Sequence, residues 1–130
     1  MTHSARWRIV GMALAAGALY DLAFGLAILG FTRPAASLLG LQVPSDPVYL
    51  YLNGVLLLIL AGVYAAAARM PERYRAVAPL SAAGRVLGCA LLIWAWRGGR
   101  PTAFLALGLT DLALATATGA AWWRARRLSD

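Results

Sequence analysis

The chain has 130 residues, 62% of them hydrophobic and only 13% charged, with mean hydropathy +0.69. Soluble domains carry roughly 45–50% apolar and about 25% charged residues, so this composition excludes an ordinary soluble domain, a disordered chain and a disulfide-stapled secreted module, and leaves an integral membrane protein. The net charge of +7 comes from twelve basic residues, all arginine, against five acidic ones; with no folded polar surface to carry a nucleic-acid site, the excess reads as charge flanking membrane segments.

The first apolar segment, Val10 to Gly30, holds one charge, Asp21. At 1.5 Å per residue, ~20 residues cross the ~30 Å hydrocarbon core, so a first transmembrane helix is predicted here. Arg6 and Arg8 ahead of it, with Ala16-Gly17-Ala18 inside, have the look of a signal peptide. The apolar run continues well past that point, and an uncleaved span is the expectation. The connection from Phe31 to Pro47 sets Pro34, Pro44 and Pro47 around Ala35-Ala36-Ser37-Leu38-Leu39. It predicts a short helix at the membrane interface in the first external loop.

The second segment, Val48 to Ala68, is uncharged and ends at Met70-Pro71-Glu72-Arg73. The third, Ala76 to Trp96, contains Arg85 and ends at Arg97-Gly98-Gly99-Arg100. The fourth, Pro101 to Trp123, contains Asp111, and Pro101 suits the first turn of a helix, where the missing N–H costs nothing. Short connections of this kind predict antiparallel neighbours. The expected fold is an all-α, up-down-up-down, four-helix transmembrane bundle forming a single domain over residues 1–130.

Arginine placement predicts topology. Arg6, Arg8, Arg69, Arg73, Arg75, Arg124, Arg126 and Arg127 fall on one side of the alternating spans, and Arg33, Arg97 and Arg100 on the other. Eight against three puts both termini in the cytoplasm of a bacterial-type inner (plasma) membrane. Trp7, Trp94, Trp96, Trp122 and Trp123 all lie at helix ends, as an aromatic belt requires. Tyr20, Tyr49, Tyr51 and Tyr64 read as interface anchors, with the lining of a cavity as the alternative.

The chemistry-bearing residues are those expected at membrane depth: Asp21, Asn53, Arg85 and Asp111, one from each span. Asp21 shares its helix face with Gly17, Ala18 and Gly25. Arg85 shares its face with Ser81, Ala82, Gly88 and Cys89, and Asp111 with Gly108, Ala115 and Thr118. Small residues at this spacing let helices approach closely, so these faces are expected to point inward. An intramembrane charge costs at least ~2.5–3.5 kcal/mol unless paired, and arginine cannot shed its proton. Arg85 therefore requires a carboxylate, and Asp21 and Asp111 are the only deep ones. One retained proton would make the three-residue cluster neutral, so the two carboxyls are expected to titrate as a coupled pair.

Other candidates are plainer. The single histidine, His3, falls in the N-terminal tail and the single cysteine, Cys89, reads as buried and inert. No metal-ligand set, phosphate-cradling loop, serine nucleophile arrangement or cofactor site is apparent. Leu19-Tyr20-Asp21-Leu22-Ala23 and Leu109-Thr110-Asp111-Leu112-Ala113 echo one another, which in Leu/Ala-rich helices reads as chance.

Tyr20-Asp21 followed by Gly25, Leu38-Leu39-Gly40 in a proline-bracketed loop, Tyr51-Leu52-Asn53-Gly54 opening the second span and Gly84-Arg85 in the third together resemble the DoxX-like bacterial four-helix membrane proteins. That resemblance implies a fold more than an activity; members of the family are associated with quinone-linked redox complexes. A more distant similarity is to the sterol-isomerase and sigma-2-receptor superfamily, whose members bind cationic amines through intramembrane acidic residues.

Three functions follow as expectations. The first is binding or transport of a small molecule or lipid at an Asp21/Asn53/Arg85/Asp111 site, ligand-binding or proton-linked, with a hydrophobic or cationic ligand and a homo-oligomer as partners. The second is an accessory or assembly subunit of a larger, redox-linked membrane complex, with the polar cluster structural. The third is an enzyme using the two aspartates as acid and base, for which no reaction class is identifiable.

Overall fold

The computed structural model describes residues 3–127, all-helical apart from turns and short connections. Five helices follow in order: α1 (His3–Gly30), α2 (Thr32–Leu38), α3 (Val48–Arg69), α4 (Val77–Arg97) and α5 (Ala103–Arg127). Four of them, all but α2, are long and apolar enough to cross a membrane. Large apolar side chains stay exposed around them, Leu19 at 67%, Leu87 at 72% and Trp94 at 73% among them. A helix that is apolar all round is stable only against other protein or lipid.

The long helices differ from expectation mainly at the two termini. α1 begins at His3 rather than Val10, and α5 runs to Arg127 rather than Trp123. His3, Arg6, Arg8, Arg124, Arg126 and Arg127 therefore sit on helical turns continuous with the spans, not in tails. The reason is that hydropathy ends where polarity begins, whereas helical hydrogen bonding continues through arginine, a good helix former. Pro101 lies just before α5, its carbonyl accepting from the Phe104 N–H at 2.9 Å.

Two helix ends explain the sharp reversals. At α2 the Gly40 N–H donates to the Ser37 carbonyl and the Leu41 N–H to the Ala36 carbonyl. At α4 the Gly99 N–H donates to Trp96 and the Arg100 N–H to Ala95. Both glycines adopt positive φ, +66° and +92°, which lets the chain fold back over the last carbonyls.

α1 is the central element, with close backbone seams to α3 and α5, and α4 packs on α5. Directions follow from close approaches. A Cβ on Gly11 would stand 2.6 Å from the Ala68 carbonyl oxygen, and one on Gly25 would meet Leu58 and the Gly54 carbonyl, so α1 and α3 are antiparallel. Gly108 faces Leu92 while Gly119 faces Ala82, making α4 and α5 antiparallel. α3 and α4, despite their short connection, form no such seam. A short turn sets antiparallel order, but it does not set the distance between the helices it joins.

The dense part of the interior lies at one end, where Trp7, Val10, Leu14 and Ala18 of α1 pack against Tyr64 and Ala67 of α3, Ala78 of α4 and Ala125 of α5. Beyond Ala18 the interior becomes polar and opens.

Candidate functional site

Arg85 stands on the buried face of α4 with Ala78, Ser81 and Cys89, and its side chain is only 7% exposed. Its guanidinium ties three helices together. Nη2 donates to Oδ2 of Asp21 on α1 at 3.0 Å and to the Gly17 carbonyl at 3.2 Å, and Nη1 donates to Oδ1 of Asp111 on α5 at 2.9 Å. Such charge-assisted pairs are the strong class of hydrogen bond, and here they compensate a cation held in the middle of an apolar bundle. The Arg85 Nε is buried without a partner.

Small residues make this geometry possible. A Cβ on Gly17 would lie 3.1 Å from Arg85 Nη2, and one on Gly88 would lie 3.1 Å from Oδ2 of Asp111. Glycine at both positions lets the charged groups approach the helix backbones. Gly84, the other half of the Gly84–Gly88 pair, faces open space.

Two tyrosine rings flank the guanidinium, Tyr20 with its centroid 5.5 Å from the Arg85 carbon and Tyr64 at 5.7 Å. Arginine over tyrosine faces at this range gains a cation–π attraction that strengthens on desolvation. Tyr20 and Tyr64 are therefore wall residues, not interface anchors; Tyr49 and Tyr51 are exposed in the first turn of α3. The signal available in sequence was depth, since Tyr20 adjoins Asp21 near the middle of its span.

The triad borders a cavity of about 370 Å³. Asp21, Arg85, Asp111 and Asn53 of α3 are its polar lining, and Tyr20 and Tyr64 also line it. Phe24, Leu57, Leu92 and Leu107 supply apolar surface. The cavity fills the space where α3 and α4 fail to meet. Exposed Asn53, Leu60 and Gly84 mark its opening, which faces sideways between those helices. Asn53 thus lies on the cavity wall, apart from the Arg85 hydrogen bonds.

The two carboxylates are not equivalent. The Asp21 side chain is 5% exposed and that of Asp111 is 17% exposed. Arg85 bonds one oxygen of each, and the second oxygen of Asp111 lies beside Gly88 on the more exposed of the two side chains. The arrangement suits recognition of a donor or cationic group by an acceptor already held in place by an internal cation. No protein-family model, curated protein or solved structure matches the chain.

Proposed function

We propose that the protein is a multi-pass protein of a bacterial-type inner membrane that binds a small, largely apolar molecule with a cationic or hydrogen-bond-donating end, in the cavity beside Arg85. The observation that carries this reading is the cavity itself: about 370 Å³, walled by Asp21, Arg85 and Asp111. Ligand pockets are typically ~300–1,000 Å³, mostly apolar, with a few placed polar groups, and an ion cluster serving only to fasten helices has no need of an open space. A lateral opening supports entry from the lipid phase. The second oxygen of Asp111 receives the ligand's polar end, and Tyr20, Phe24, Tyr64 and Leu57 hold its apolar body.

In the same reading both termini are cytoplasmic and α2 lies at the opposite interface, supported by the eight-to-three arginine bias. Transport across the membrane by this site requires a dimer or larger assembly, since four helices enclose too little to form a complete path.

A second reading is favoured by one feature: Arg85 joins α4 to α1 and α5 at the level where α3 and α4 stand apart. In that reading the triad sets helix register and the protein is an accessory subunit of a larger complex.

Native mass spectrometry of the full chain released from mild detergent separates the two. Binding predicts a retained small-molecule mass on the wild type that is lost from Asp111→Asn while that variant stays folded. A bare chain, or one carrying only other protein subunits, refutes the binding reading and favours the accessory one.

A further inference from the structure

A second, larger concavity of about 1290 Å³ runs along another face of the α1–α3 pair and shares no lining residue with the Arg85 cavity. Its trough exists because the facing positions are small: Gly11, Ala15 and Ala18 on α1, Ala61, Gly62 and Ala65 on α3. From Arg8 to Leu22 it extends about 21 Å along α1 at 1.5 Å per residue, more than the ~15 Å depth of one hydrocarbon leaflet.

Its two ends differ in chemistry. The deep end is walled by Leu19, Leu22 and Leu58, while the outer end carries Arg8, Arg69 and Arg73, all exposed. Among the described lining residues the one carboxylate is Glu72, which is engaged by Arg75 at 3.2 Å. Trp7 lines the same end, 4% exposed, and its indole N–H is buried without a hydrogen-bond partner. A buried donor of this kind ordinarily finds an acceptor.

We propose that this groove is a binding site for an anionic phospholipid, with an acyl chain along the Gly11–Gly62 trough and the phosphate between Arg8, Arg69 and Arg73. The gradient from apolar trough to cationic mouth matches the gradient along a phospholipid, and anionic headgroups are drawn to juxtamembrane arginines. A second copy of the chain docked symmetrically on this face would set these arginines against their own counterparts, so charge favours lipid over self-association.

The test is native mass spectrometry of the full-length protein in mild detergent with equimolar phosphatidylglycerol and phosphatidylcholine of the same chains. The wild type is expected to retain phosphatidylglycerol at least about tenfold more than phosphatidylcholine. The triple variant Arg8→Gln/Arg69→Gln/Arg73→Gln is expected to lose that preference. Gly62→Leu, whose side chain enters open space, is expected to lose both lipids with the fold retained. Equal retention of the two lipids by the wild type overturns the proposal without any variant. So does a lipid-free dimer that Gly62→Leu dissociates, which would make the groove a chain–chain interface.

Discussion

Gly17 serves Arg85 twice: its carbonyl accepts from Nη2 at 3.2 Å, and its missing side chain leaves the space that same nitrogen occupies, since a Cβ there would lie 3.1 Å away. A methyl group at position 17 requires the guanidinium to shift by tenths of an ångström, and a branched side chain displaces it. Gly17→Val is therefore expected to destabilise the bundle by about 1–3 kcal/mol, the range for overpacking, with Gly17→Ala intermediate. Reversible denaturant unfolding in detergent checks the order; equal stability of Gly17→Val and wild type would show that Arg85 does not need this approach.

The α1–α3 seam yields a paired comparison. A Cβ on Gly11 would stand 2.6 Å from the Ala68 carbonyl oxygen, whereas one on Gly62 meets nothing within 4 Å. Because the obstacle at Gly11 is backbone, the helices must separate to accommodate it, with loss of packing along the seam. Gly11→Ala is expected to lower the thermal midpoint clearly and Gly62→Ala to leave it nearly unchanged.

The charge cluster behaves as a unit. Arg85→Gln leaves two carboxylates on one cavity wall without their cation, and removing one partner of a buried ion pair costs about 3–5 kcal/mol. The triple variant Asp21→Asn/Arg85→Gln/Asp111→Asn removes every charge while keeping hydrogen-bonding side chains of similar size. Its stability is expected to lie closer to wild type than that of Arg85→Gln alone. A strictly additive loss across the three sites would contradict shared pairing through Arg85.

Topology is checked by reporter fusions. A fluorescent-protein fusion at the C-terminus is expected to fluoresce and an alkaline phosphatase fusion there to be inactive, while phosphatase inserted after Gly99 is expected to be active. Weakening the bias from eight-to-three to five-to-three with Arg69→Ala/Arg73→Ala/Arg75→Ala is expected to add a minority of inverted molecules, as the arginine rule requires.

Ligand entry through the lateral opening predicts that Gly84→Leu, at an exposed position of the cavity wall with open space at its Cβ, slows binding while preserving the fold. A small aromatic ammonium ion such as phenyltrimethylammonium serves as probe. Its stabilising effect on the thermal midpoint is expected for wild type and for Asn53→Ala, and is expected to be lost in Asp111→Asn.

Much of the site is legible in the sequence. Asp21, Arg85 and Asp111 announce themselves as charges in spans that otherwise have none, and one cation with two anions leaves few pairings. The small residues beside them marked the inward faces: Gly17, Ala18 and Gly25, Ser81 and Cys89, Gly108, Ala115 and Thr118 are buried, while Ala82 and Gly88 are half-buried. Asn53 illustrates where such reading stops. Its depth matches the cluster, but depth gives no rotation about the helix axis, and it faces the cavity rather than Arg85.

By itself the sequence determined four long apolar helices, the turns that separate them, the short helix after α1 and a side-to-side imbalance of arginine. All of these are local or additive properties: hydropathy summed over a span, a glycine able to take positive φ, charge counted in a loop. Only the tertiary structure decided that α1 is central, that α3 and α4 stand apart, that Tyr20 and Tyr64 flank the guanidinium and that a cationic-mouthed groove lies along α1 and α3. In helices that are apolar all round, no polar face marks which side turns inward. The choice falls to close packing of small residues and to the reach of one arginine, and both depend on where distant segments lie in space.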